Sequence, residues 1–102
     1  MTKRYRYNRA FSGTREQVFQ ACLEAVTQCG FRIDSSSPVG GQIRAQTRVS
    51  FRSWGENIVV AIDSEGRVDI MSESKVIFTT NDWGKNEANV EKLFSRIALL
   101  LV

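Results

Sequence analysis

A chain of 102 residues with 42% hydrophobic and 25% charged side chains and a net charge of +3 has the size and balance of one folded domain. A single proline excludes a proline-rich disordered chain, and the longest wholly apolar run, Ile97 to Val102, is too short to cross a bilayer. Two cysteines and no histidine leave a zinc site without a ligand set and remove the commonest general base.

Taken in order, Tyr5, Tyr7 and Phe11 alternate with Arg4, Arg6 and Asn8, the pattern of a half-buried strand. Ser12-Gly13 breaks it. Thr14 with Gln17 three residues on forms a capping box and predicts a helix whose apolar stripe is Val18, Phe19, Cys22, Leu23 and Val26. Gly30 is placed to end that helix. Cys22 and Cys29 both fall within it, roughly 10 Å apart at helical rise, too far for a disulfide.

Phe31 and Ile33 then alternate with Arg32 and Asp34 in a short second strand, and residues 35–41 read as a Ser/Pro/Gly loop. The third strand turns Ile43, Ala45, Thr47, Val49 and Phe51 to one face, and Arg44, Gln46, Arg48, Ser50 and Arg52 to the other. Ser53-Trp54-Gly55-Glu56 reads as a turn, followed by a fourth strand with Ile58, Val60 and Ile62 inward. Asp63-Ser64-Glu65-Gly66 makes a hairpin turn into a fifth strand carrying Val68 and Ile70. Residues 72–80 fit either an extension of that strand or a loop folded against the sheet.

A second helix is predicted from Asn81-Asp82-Trp83-Gly84-Lys85-Asn86 to Val102. Asp82 is expected to cap it, Trp83 to anchor it, and Val90, Leu93, Phe94, Ile97 and Leu101 to form its buried stripe. The order β-α-β-β-β-β-α with short hairpin links implies an α+β fold over residues 1–102. Its five-stranded, mainly antiparallel sheet has one polar face, so both helices must cover the other.

Several of these pieces together are Val18-Phe19, Gly30-Phe31, Gly41-x-Ile43, Ser53-Trp54-Gly55-Glu56, Ser72-x-Ser74 and Asp82-Trp83-Gly84-Lys85-Asn86-x-x-Asn89-Val90. In this combination the chain resembles a class of small bacterial domains of unknown function. The resemblance implies an α+β domain, found alone or attached to a lipoprotein or membrane segment, and implies no activity.

Three groups of residues are candidate sites. Ser72, Ser74, Lys85 and Asn86 could gather an anion or other ligand at the start of the last helix, although a cap at Asp82 and asparagines bonded to neighbouring backbone would account for the same residue types. Arg44, Arg48 and Arg52 recur at four-residue spacing and point the same way from the third strand, where Arg4, Arg6 and Arg32 could join them. They would bind a single-stranded nucleic acid or other polyanion unless Asp34, Asp69 and Glu73 neutralise them across the strands. Leu99 and Leu100 make the end of the last helix apolar all round, which calls for burial within the fold or against a second copy or partner.

Charge is uneven: residues 1–52 hold nine Lys/Arg against three Asp/Glu, and the remainder holds five against eight. Halves of opposite sign can attract within the fold as well as recruit an anion. Catalysis has little to work with. Asp63 and Glu65 lie in a turn and Cys22 on an apolar stripe, and no cofactor or metal site is expected. The basic start, Met1 to Tyr7, lacks the apolar core of a secretory signal, so a cytoplasmic protein is expected, although a mature exported domain would read the same. The expected function is a non-enzymatic binding or protein-interaction module, homo-oligomeric or with another protein; the alternative is polyanion binding on the basic sheet face.

Overall fold

The structure, a computed structural model, describes residues 4–48, 55–75 and 84–102. Strand β1 (Arg4–Ala10) is followed by helix α1 (Arg15–Gln28), strands β2 (Arg32–Ser37), β3 (Gln42–Gln46), β4 (Glu56–Ile62) and β5 (Arg67–Ser74), and helix α2 (Lys85–Leu100). The sheet order is β1-β5-β4-β3-β2, with every neighbouring pair antiparallel. Both helices lie on one face, giving the two-layer α+β fold expected from the alternation.

Local chemistry fixes the ends of α1. Thr14 Oγ1 accepts from Gln17 N at 3.1 Å, and Gln17 Oε1 accepts from Thr14 N at 2.9 Å, a complete capping box. At the other end Gly30 N donates to Thr27 O at 3.0 Å and Phe31 N to Val26 O at 3.1 Å, the paired bonds of a Schellman motif. Between these ends Val18, Phe19, Ala21, Cys22, Ala25 and Val26 are buried. They face Ile43, Ala45, Ile58, Val60, Ile62, Val68 and Ile70 of the sheet, joined from the other side by Val90, Leu93, Phe94 and Ile97 of α2.

Phe94 joins α2 to the first strand. Its ring meets Tyr7 edge-on at 6.2 Å and stacks on Phe11 at 6.1 Å, and the Arg9 guanidinium lies over both phenylalanines at about the same range. Such contacts add to the area buried and shield the apolar edge of β1 from water.

Three boundaries differ from the sequence reading, the first being that β3 ends at Gln46 and leaves Thr47 and Arg48 outside the strand expected to carry them. β2 does not stop at Asp34 but continues through Ser35–Ser37, which pair with Arg44, Ile43 and Gln42. A register shift between Ile33 and Ser35 leaves Asp34 as the extra residue, and an edge strand exposed to water on both faces can carry serines that alternation rules read as loop. Glu56, expected in a turn, is the first residue of β4 and only 4% exposed. The expected cap Asp82, the anchor Trp83 and the strand positions Val49 and Phe51 lie outside the described residues; the residue at the cap position of α2 is Gly84.

The turn into β3 depends on Gly41. Its φ is +65°, its carbonyl accepts from Ile62 N at 2.7 Å, and a Cβ there would run into the Ile62 carbonyl and the Arg15 guanidinium. Arg15 is itself tied down, donating to Pro38 O and Val39 O at 3.2 Å each. Gly41→Ala is therefore expected to destabilise the protein by about 1–3 kcal/mol through strain alone, measured as a shift of the urea midpoint.

Candidate functional site

The inner face of the sheet changes character along its length. At the end where β5 finishes, the inward residues are Glu56, Ser72 and Ser74, all buried. Opposite them α2 presents Asn86, fully buried, and Asn89, half-buried. Ser72 Oγ donates to Asn86 Oδ1 at 2.8 Å, and Asn86 Nδ2 donates to Ser74 Oγ at 3.0 Å. Asn89 Nδ2 reaches both Glu56 Oε1 at 2.8 Å and Ser72 Oγ at 3.1 Å. Glu56 Oε1 also accepts from Thr47 Oγ1 at 3.0 Å, and that hydroxyl accepts from Glu56 N at 2.8 Å.

Of the expected ligand site, then, Ser72, Ser74 and Asn86 do come together, and Lys85 stands half-buried in the first turn of α2. The asparagines bond to hydroxyl and carboxylate side chains on the sheet. Each of these bonds consumes a donor or acceptor that a ligand would need, so the cluster works as an interior polar network. Glu56 and Thr47 are its members that the sequence reading missed as a pair. The signal available was Thr47 on the inward parity that continues from β3, with a carboxylate nine residues on.

Removing one member strands the others. Asn86→Ala should leave two buried hydroxyls without their amide and cost about 1–3 kcal/mol or more, read by urea unfolding, whereas exposed Asn57→Ala on the opposite face should change the midpoint little.

The open face of the sheet places Arg6, Met71, Val59 and Arg44 in one row across β1, β5, β4 and β3, flanked by Arg4, Glu73, Asn57 and Gln46 in the next. Carboxylates share it as well. Arg6 Nε lies 2.9 Å from Asp69 Oδ2 and 3.0 Å from Oδ1, Arg4 lies 3.1 Å from Glu73, and Arg32 lies 3.4 Å from Asp34. The first two pairs join the basic first half of the chain to the acidic second half, and the third lies within the first half. Arg44 is exposed beside Val59 and Met71 with no ion pair among the described residues. Arg48 lies just beyond β3 and Arg52 outside the described residues.

At the far end of the helix layer, Leu99 is 64% exposed, while Leu100 and Leu101 pack partly against the core. Beside them a groove of about 680 Å³ runs between the first half of α1 and the end of α2, lined by Gly13, Glu16, Gln20, Glu24, Leu100 and Leu101 among others. A second groove, about 690 Å³, lies at the opposite end of α1, where Thr27, Gly30 and Phe31 meet Arg32, Gln46, Thr47, Arg48 and Lys75.

The reactive groups are muted. Burial pushes the Cys22 thiol up to about 12 and raises that of Cys29, against which Lys92 and Arg96 act. Both cysteines are unbridged. Asp63 is held below the usual carboxylate range by the backbone N–H groups of Arg67 and Glu65, bonds that shape the β4–β5 hairpin. No cluster of three metal-ligating side chains occurs among the described residues, nor any helix long and apolar enough to cross a membrane. Neither the protein-family models nor the curated proteins contain a match to this sequence.

Proposed function

We propose that this domain is a non-enzymatic protein-interaction module whose contact surface is the end of the helix layer where α2 finishes. The observation that supports it is Leu99: a large apolar side chain, 64% exposed, next to a groove with half-buried leucines on one wall and Glu16, Gln20 and Glu24 on the other. An apolar centre inside a polar rim is the anatomy of a protein contact. The thiol of Cys22, kept protonated by burial, fits a scaffold better than a nucleophile. Self-association is the form of contact tested first. A protein whose mass by light scattering exceeds one chain, and falls to that of one chain in Leu99→Lys, bears the proposal out; an assembly unchanged by Leu99→Lys places the contact elsewhere.

The alternative, binding of a single-stranded nucleic acid or other polyanion on the open sheet face, draws on Arg44. It stands beside Val59 and Met71, an apolar floor next to a cation, while Arg4 and Arg6 are engaged by Glu73 and Asp69. On this reading oligothymidylate binds in a salt-dependent way, and Arg44→Glu weakens it about tenfold. Binding indifferent to Arg44 removes the sheet face from consideration.

A further inference from the structure

The groove at the C-terminal end of α1 has a chemistry unlike the rest of the surface. Among the described residues its wall combines three cationic side chains, Arg32, Arg48 and Lys75, with one aromatic ring, Phe31. They arrive from three separate parts of the chain: the start of β2, the second residue after β3, and the residue after β5. A fourth cation stands close by, for Lys92 Nζ lies 5.7 Å from the Phe31 ring centroid and donates to Cys29 O at 3.3 Å.

The backbone makes room for this convergence. Lys75 N donates to Gly55 O at 3.2 Å, which places Lys75 alongside the start of β4. Gly55 has φ +95°, and the side chain of Lys75 lies over it, with Cε and Nζ each 3.7 Å from where a Cβ would stand. The lysine therefore crosses β4 and donates to Gln46 Oε1 on β3.

The neutral groups of the lining are already occupied. Thr27 Oγ1 donates to Leu23 O at 3.1 Å, Thr47 is bound into the Glu56 network, and Gln46 Nε2 donates to Asp34 at 2.8 Å. Among the described residues two carboxylates touch the lining: Glu56, bonded to Thr47, and Asp34, which also meets Arg32 at 3.4 Å. Arg48 and Lys75 have no ion pair among the described residues. What remains on offer is positive charge beside a flat apolar surface, in a space of the size small-molecule sites usually have.

We propose that this groove binds a phosphate ester, its phosphate oxygens among Arg32, Arg48 and Lys75 and its organic part against Phe31. Arginine forks match phosphate oxygens two at a time, and a lysine adds a point charge, so the pairing is stronger than three unrelated surface cations would give. The site is separate from both Leu99 and Arg44, and stands or falls apart from the readings that rest on them.

The test is a titration of the isotopically labelled protein with inorganic phosphate, phenyl phosphate and oligothymidylate, followed by amide chemical shifts. Saturable shifts confined to Gly30, Phe31, Gln46, Thr47, Arg48 and Lys75 are expected, with phenyl phosphate binding more tightly than inorganic phosphate. Arg48→Glu and Lys75→Glu should each weaken binding about tenfold or more by reversing a charge at close range, and Asp34→Asn should tighten it severalfold. Should a reversal fail to fold by circular dichroism, Arg48→Ala and Lys75→Ala carry the same expectation at smaller size. Tighter binding of oligothymidylate at the same amides identifies the phosphate as that of a nucleic-acid backbone, and a preference for phenyl phosphate identifies a small ester. Shifts spread equally over Arg4, Arg6 and Arg67, no saturation, or binding lost in Arg44→Glu but kept in Arg48→Glu would overturn the proposal.

Discussion

The position of α2 along the sheet is set by an agreement between two chemical gradients. The inner face of β5 runs from Val68 and Ile70 to Ser72 and Ser74, and α2 runs from Asn86 and Asn89 to Val90, Leu93, Phe94 and Ile97. Amide meets hydroxyl at one end, and hydrocarbon meets hydrocarbon at the other. Sliding the helix by one turn, about 5 Å, would set a carboxamide against Ile70 and an aliphatic side chain against Ser72. Both mismatches bury polar atoms without partners, which costs more than any single bond in the network contributes. Apolar packing alone would hold the helix on the sheet but would tolerate such slips; the buried asparagines supply the register.

That lock reaches into the rest of the sheet. Asn89 ties α2 to Glu56, and Glu56 ties the start of β4 to Thr47 at the end of β3. The bond from Thr47 N to Glu56 O, at 3.0 Å, continues the ladder one pair past the last strand residue of β3. The polar end therefore joins β3, β4, β5 and α2. At the opposite end Phe94, Tyr7, Phe11 and Arg9 join α2 to β1, whose strand pairing runs only to β5. One helix thus spans two anchors of different chemistry, and α1, capped at both ends by its own residues, fills the space beside it.

How much of this was legible in the sequence depended on how local the cause was. Helix α1 was plain because Thr14, Gln17 and Gly30 act within a few residues of one another. The inward faces of β3 and β4 were plain because Ile43, Ala45, Ile58, Val60 and Ile62 alternate without exception. The polar end was not, because Ser72, Ser74 and Glu56 occupy inward positions that alternation expects to be apolar, and their partners among the described residues are 9 to 33 positions away. Likewise the pairing of β1 with β5 needs no short connection, so nothing near either strand announced it. Ser72, Ser74 and Asn86 were picked out as a group, yet their role turns on who bonds to whom, which residue type does not specify.

The distribution of charge follows from the same architecture. A two-layer fold leaves one sheet face to water, and there arginines of the first half sit across from carboxylates of the second: Arg4 from Glu73, and Arg6 beside Asp69. Such exposed pairs add little stability, but they cancel the field over most of that face. Cancellation needs strands side by side, because cross-strand neighbours are what bring opposite charges together. Where the strands stop it fails: past the ends of β3 and β5, Arg48 and Lys75 line one groove with Arg32, and among the described residues the carboxylates bonded to that lining are Asp34 and the buried Glu56. Positive charge thus gathers at this end of the sheet, in the groove that the ring of Phe31 also lines, where cross-strand pairing brings fewer carboxylates opposite it.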